Sequence, residues 1–312
     1  MLTDRTRATG IGLHWIVAIV LLAWPSQLFA QDLEPRRWTH QPIGTNVAGI
    51  SYVYTEGELL FDPVLELEEV EVKSHNLVAA YARWFECFGQ TARIDVFLPY
   101  EDARLDGLLS GTPASTDRRG FADPWVRLSY NFLGSPALKG EEYMQYRANH
   151  QTNTVAGAAV AVMLPLGEYD EQKLINLGQN RFIIRPQIGA VHTRGAWSHE
   201  LTGSAFLFTD NDEFFGGHKR EQETSYALQA HFVRTFPSRW WASASAGYSW
   251  AGTSRVDGVR LDDSQSKFLY ALSLGFPIAK QQALKFVYLH GDSRRLVGTD
   301  TDGLAVSWST RF

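Results

Sequence analysis

WWASASAGYSW, residues 240–250, decides the fold. One face of this stretch carries Trp240, Ala242, Ala244, Ala246, Tyr248 and Trp250, and the other carries Trp241, Ser243, Ser245, Gly247 and Ser249. Strict alternation is the signature of a strand whose two faces meet different surroundings. At ~3.3 Å per residue the stretch reaches about 33 Å. Tilted by ~40°, it projects to roughly 25 Å, the apolar height of an outer-membrane barrel. Aromatic residues stand at both ends, where two interfacial girdles would lie.

Outward from this strand, similar segments recur at 46–60, 69–85, 91–104, 121–133, 150–165, 181–193, 197–208, 223–235, 240–251, 265–278, 283–291 and 303–312. No 3.6-residue periodicity persists long enough to argue a substantial helix. Twelve is an even number, so the chain returns to the side on which it began. Connections after odd segments (105–120, 166–180, 209–222, 252–264, 292–302) are long, whereas most after even segments (86–90, 194–196, 236–239, 279–282) are short. Long loops outside and short turns in the periplasm are the expected asymmetry. The stretch 134–149 breaks it, and reads as a longer periplasmic turn or as part of a long fifth strand. The fold expected is an all-β, antiparallel, up-and-down transmembrane barrel of about 12 strands over 46–312, in the cell outer membrane. A secreted β-sandwich or soluble ligand-binding barrel would alternate similarly, but lacks reason for the aromatic ends and loop asymmetry.

The chain termini fit this reading. Arg5 and Arg7 precede an apolar run from Ile11 to Leu22, and Leu28-Phe29-Ala30 ends in a small residue. That order reads as a signal peptide over 1–30, too short for a comfortable transmembrane helix. Residues 31–45 would then form a short periplasmic N-terminal segment. Trp308 and Phe312 end an alternating last strand, resembling the address read by the outer-membrane assembly machinery. The net charge of −5 becomes −6 without the leader, which argues against a nucleic-acid partner. The single cysteine, Cys87, excludes an internal disulfide framework and reads as a small apolar residue near a turn.

Charges facing lipid at midplane cost ~2–4 kcal/mol, so strand parity assigns charged positions to the lumen. The lumen-lining set is Arg93, Asp95, Arg127, Asn131, Arg181, Arg185, Gln187, Gln229, His231, Lys267, Lys285 and Arg311. These residues either line a wet pore or pair to brace a closed wall. Convergence of Arg93, Arg127, Arg181 and Arg185 would create a net-positive constriction that prefers neutral or weakly anionic aromatics over cations. No catalytic, metal or cofactor pattern is found: HExxH, paired CxxC and phosphate-loop motifs are absent. Ser249 in GYSWA only approaches GxSxG, and His290 with Asp292 reads as a strand end. TDNDE (209–213) and TDTDG (299–303) read as solvated turns rather than cation sites.

FADPWVRLSYNFLGSPAL (121–138), LPLGEYDEQKLINLGQNRF (164–182), FLFTDNDEFFGGHKREQ (206–222), SYALQAHFVRTF (225–236) and LKFVYLHGDSRRLVGTDTDGLAVSWS (284–309) together resemble the family labelled "putative meta-pathway of phenol degradation". The resemblance runs from about Asn46 to Phe312. It implies an outer-membrane barrel, a "transporter" that passes small organic, often aromatic, solutes. The label comes from association with a catabolic pathway and implies no catalysis. Leu166, often Thr, and Phe182, often Trp, depart conservatively from the family pattern. The function expected is passive uptake of small aromatic or hydrophobic compounds by a barrel embedded in outer-membrane lipid. The alternatives are an outer-membrane hydrolase or lipid-modifying enzyme, and a structural or adhesive barrel.

Overall fold

A computed structural model describes residues 33–60, 67–109, 112–173, 175–293 and 298–312. The leader expected over 1–30 lies outside the described residues. Among the described residues no helix is long and apolar enough to cross a membrane.

Twelve antiparallel staves close into a barrel. In chain order they are β1 (Asn46–Leu60), β2 (Leu67–Cys87), β3 (Gln90–Leu109), the pair β4 (Thr112–Phe121) and β5 (Trp125–Leu133), β6 (Thr152–Met163), β7 (Ile183–Arg194), β8 (Trp197–Phe208), β11 (Ser225–Thr235), β12 (Trp241–Ala251), β15 (Gln265–Pro277), β16 (Gln282–Ser293) and β17 (Gly298–Arg311). β1 pairs with both β17 and β2, and β2 pairs with β3, so no edge is left open to lipid. β4 and β5 share one stave: β3 pairs with β5 from Ala92 to Phe97 and with β4 from Tyr100 to Leu109. The break at Ala122-Asp123-Pro124 falls where proline offers no ladder donor.

The burial pattern of β12 follows the alternation of the opening stretch. Ser243, Ser245 and Ser249 are buried in the barrel, while Ala244, Ala246 and Trp250 face out. Leu128, Ile188, Phe232 and Leu272 stand outward on other staves, each more than half exposed to what is lipid in the membrane.

Two parts of the sequence reading need correction. Residues 105–109 and 112–120, expected as a loop, are strand: β3 and β4 pair from Tyr100 to Leu109, beyond the level at which β5 pairs with β3. β2 alone, at 21 residues, runs to about 66 Å at ~3.3 Å per step. Above the membrane both faces of such a hairpin can be polar, so TPASTDRRGF carries no apolar alternation to read. The second correction is a helix, α1 (Gly140–Asn149), in the irregular stretch 134–149. It has no buried residue, hence no apolar stripe. Glu141 and Glu142 in its first turn and Arg147 in its last complement the helix dipole. The loops after β8 and β12 add a small sheet of β9 (Asn211–Phe214), β10 (His218–Gln222), β13 (Ser254–Val256) and β14 (Val259–Arg260) over Phe214, Val256 and Leu261.

Candidate functional site: a lumenal cavity above an inserted N-terminal segment

Residues 33–40, within the stretch expected as a periplasmic segment, lie against inward faces of the barrel. Leu33 touches the position of Gly247 on β12, and Trp38 packs on Gly157 of β6 and Gly189 of β7. A Cβ on Gly189 would collide with the Trp38 Nε1. Glycine is therefore required there for the indole to seat. Trp38 is fully buried, and its Nε1–H donates to Thr202 Oγ1 at 2.8 Å. Val155, Ala159 and Val191 complete its apolar surroundings.

A compact charge cluster fixes the segment to β3 and β5. Arg127 donates to Glu34 through Nη1 (2.8 Å) and Nη2 (3.1 Å), and through Nε to Asp95 Oδ2 (3.0 Å). Arg93 Nε donates to Asp95 Oδ1 at 2.5 Å, and its Nη2 lies 3.5 Å from Glu34. Arg37 sits 3.8 Å from Glu34 and 3.9 Å from Asp95, and donates to the Ser129 hydroxyl. Removing one member of so buried a set would strand its partners in a medium that penalises lone charge. The cluster also holds aromatic rings: Arg127 lies over Trp125 at 5.1 Å, and Trp125 stacks on Phe97 at 3.9 Å.

The four arginines expected to converge do not form one constriction. Arg93 and Arg127 meet Arg37, Glu34 and Asp95. Arg185 is level with Arg127, both strands pairing at Ala161, yet it lies over Phe206 at 4.7 Å. Arg181 lies over Phe208 at 4.6 Å and donates to Gln222. The acids Glu34 and Asp95 offset two of the three clustered cations and leave one positive charge in excess, at the segment rather than in an open four-arginine ring. Glu34 escaped the parity argument because it belongs to no strand.

The other lumen positions are dispersed. Asn131 is buried beside Gly157, Gln187 donates to Ser204 Oγ (3.2 Å), and His231 shares a hydrogen bond with Ser245 Oγ (2.8 Å). Gln229 is buried opposite Gly247. Lys267 Nζ donates to Thr301 Oγ1 at 2.5 Å, and both Lys267 and Lys285 line the lumenal cavity. Arg311 is exposed at the end of β17. Trp308 and Phe312 are exposed at the same end of the chain, and the Phe312 backbone pairs with Asn46 at 3.0 Å in both directions.

This cavity, of about 320 Å³, lies above the inserted segment. Leu33 and Glu34 floor it, and Val53, Val78, Phe97, Trp125, Leu269 and Val287 give it apolar walls. Its roof comes from the loop after β6. Asp123 holds that loop by accepting Gly167 N–H at Oδ1 (2.8 Å) and Gln179 N–H at Oδ2 (2.7 Å). Leu177 and Gln179 line the cavity, while Ile175 packs with Val70, Val72 and Leu105 on the tall wall. Arg118 of β4 donates to the Ile175 carbonyl at 2.7 Å. The loop is thus folded over the mouth by specific polar ties, which FADPW (121–125) announces only through its turn chemistry.

Among the described residues no group of three His, Cys, Asp or Glu side chains could hold a metal ion. Asp210 and Asp212 instead face Lys219 at 2.6 and 3.5 Å. His290 pairs with Asp302, at 3.1 Å on an exposed surface. Ser249 is buried on the inner wall of β12, with no histidine or acid hydrogen-bonded to it among the described residues.

The sequence family described as "Putative MetA-pathway of phenol degradation" matches residues 68–305. No protein of curated function matches. Among solved structures, the COG4313 outer membrane channel from Pseudomonas putida F1 is similar, with a TM-score of 0.75 and 19% identity over 90% of this chain and 100% of that one. The transport unit of the autotransporter AIDA-I from Escherichia coli is similar at a TM-score of 0.54 and 10% identity, over 96% and 99% of the two chains. At these identities the likeness is one of fold, that of outer-membrane barrels.

Proposed function

The chain belongs to the phenol-degradation family matched over residues 68–305 and is an outer-membrane β-barrel; from that premise we propose that it is a passive channel for small organic solutes with apolar or aromatic bodies. The observation that carries this reading is the cavity inside the barrel. Most of its exposed wall area is hydrocarbon and aromatic, interspersed with serine, threonine and charged side chains, a make-up suited to an organic molecule with a polar group. A water-filled porin for hydrophilic solutes would present polar side chains throughout.

Solute reaching the cavity from outside meets the segment 33–40 below it. Onward passage requires that segment to shift, or a path beside it. Its attachment is by side-chain contacts rather than by strand pairing, so it can leave without opening the barrel wall. The enzyme alternative finds little support: Ser249 has no activating partner among the described residues, and the His290–Asp302 pair lies on an exposed surface. The similarity to a channel in fold supports the transport reading.

Proteoliposomes test it. Benzene-ring solutes such as benzyl alcohol should cross vesicles holding the barrel faster than empty vesicles, once passive leakage is subtracted. A hydrophilic sugar of similar mass should show little such gain. Equal gains for both would point to an ordinary aqueous pore, and no gain for either would overturn the proposal.

A further inference from the structure

Glu101 stands on β3 with its side chain in the cavity wall, and only 2% of the residue is exposed. Among the described residues no hydrogen bond or ion pair reaches its carboxylate. The contrast with the other acids of the lumen is sharp. Asp95 and Glu34 are met by arginines, and Asp123 by two backbone N–H groups. The Glu101 oxygens open on the cavity rather than being sealed in the wall, so the partner they lack can come from a molecule in the cavity.

The neighbours of Glu101 do not supply that partner. Directly opposite on β2 is Asn76, which also lines the cavity; its amide nitrogen donates to Ser74 Oγ at 2.8 Å. Directly opposite on β4 is Gly120, against which the carboxylate of Glu168 lies, another acid and no source of positive charge. The cations of the cavity are far round the wall. Lys267 and Lys285 stand on β15 and β16, five and four staves from β3 in a ring of twelve, and Lys267 is already engaged with Thr301. The cavity is therefore polarised, with an unmet acceptor on one side, cations on the other, and between them apolar side chains interspersed with neutral ones such as Ser51, Thr55 and Ser307.

Resting on the organic-solute reading above, we infer that Glu101 is the head-group site of the channel and that the cavity selects amphiphiles bearing a protonated amine on an apolar, ring-sized body. The ammonium supplies the donors and the charge that Glu101 lacks, forming a charge-assisted hydrogen bond in a medium of low polarity. The body lies against Val78, Phe97 and Trp125. The lysines on the far wall favour the same orientation, since they repel the ammonium toward Glu101. A carboxylate of the same size would have to place its apolar end beside the buried acid.

Three probes of one shape decide it: 2-phenylethylamine, 2-phenylethanol and phenylacetate. Their binding to the full-length barrel folded in zwitterionic detergent is read by calorimetry, against micelles alone. The amine should bind at least tenfold tighter than phenylacetate, with the alcohol between. Glu101→Gln keeps the shape and removes the charge; it should weaken the amine at least tenfold and leave the alcohol within about twofold. Lys267→Met removes a cavity cation, so it should leave amine binding equal or stronger. Phenylacetate binding as tightly as the amine overturns the inference, as does an amine unaffected by Glu101→Gln or weakened as much by Lys267→Met. If none of the three binds, the inference fails; vesicle flux of benzyl alcohol then shows whether the organic-solute reading fails with it.

Discussion

Trp38→Ala is the change that should most directly open the lumen. The indole is fully buried, donates its only N–H to Thr202 and fills the space left by Gly157 and Gly189. Truncating a buried tryptophan costs about 3–5 kcal/mol where the surroundings cannot collapse. The barrel wall is held by strand pairing on both sides of the indole, so collapse is limited. The loss falls on docking of the segment rather than on the barrel, because Trp38 belongs to no stave. At the lower figure of about 3 kcal/mol, the ratio of undocked to docked segment rises roughly a hundredfold. Single-channel recording in a planar bilayer reads this as a higher open probability or a larger conductance. Trp38→Phe keeps most of the ring and loses the hydrogen bond, and should lie between. A Trp38→Ala channel with the conductance and open probability of the parent would refute the reasoning, for the segment would then not be what closes the lumen.

Asp123→Asn leaves one acceptor where two now hold the loop, so the amides of Gly167 and Gln179 should lose protection in hydrogen exchange while those of β6 and β7 keep theirs; unchanged protection at both amides would count against the tie. His40 lies at the short-turn end, its ring edge-on to Tyr143 and Tyr146 of α1 with Nε2 on the Pro136 carbonyl, and burial, aided by Arg147, lowers its pKa to about 4. A depressed histidine contributes docking that is complete above its ordinary value near 6.5 and is lost as pH falls toward about 4; open probability should therefore rise between pH 7 and pH 5 in the parent and stay flatter in His40→Phe. In intact cells carrying Cys87→Ser, single cysteines at 115, 215 and 257 should react with an impermeant thiol reagent while those at 195 and 237 should not, and the reverse pattern would invert the barrel.

The staves were legible because lipid on one side and a polar lumen on the other impose alternation residue by residue. Ser243, Ser245 and Ser249 against Ala244, Ala246 and Trp250 show how completely that rule holds on β12. It fails where one of the two media is missing. The β3–β4 hairpin above the membrane has no lipid on its outer face and only the Ile175 loop on its inner one, and α1 below has water nearly all round. Residues 33–40 fail for a different cause. EPRRW (34–38) is polar enough to read as a solvated tail, and only the barrel reveals that its charges have complements on β3 and β5. Parity placed Arg93, Asp95 and Arg127 on inward faces, yet could not supply Glu34 and Arg37, which complete the cluster from the segment.

The pairing of wall and segment explains why a barrel of this size carries three arginines in so small a space. Twelve staves leave a lumen too wide for wall side chains to fill and narrow enough for one strand of chain to obstruct. A segment that must be held and also released is poorly served by an apolar seal alone, since hydrocarbon contacts are indifferent to register. Arg93 and Arg127 share Asp95 from the wall, and their remaining donors point to Glu34 from the segment. Undocking thus leaves the wall arginines with one acid in place of two, exposed to a wetter lumen. The docked state is specified by geometry; on the proposed channel reading, release would put water in place of Glu34 as the partner of Arg127. The apolar anchor and the ionic cluster then act on different quantities. Trp38 sets how firmly the segment is held, and the charges around Glu34 set where it returns.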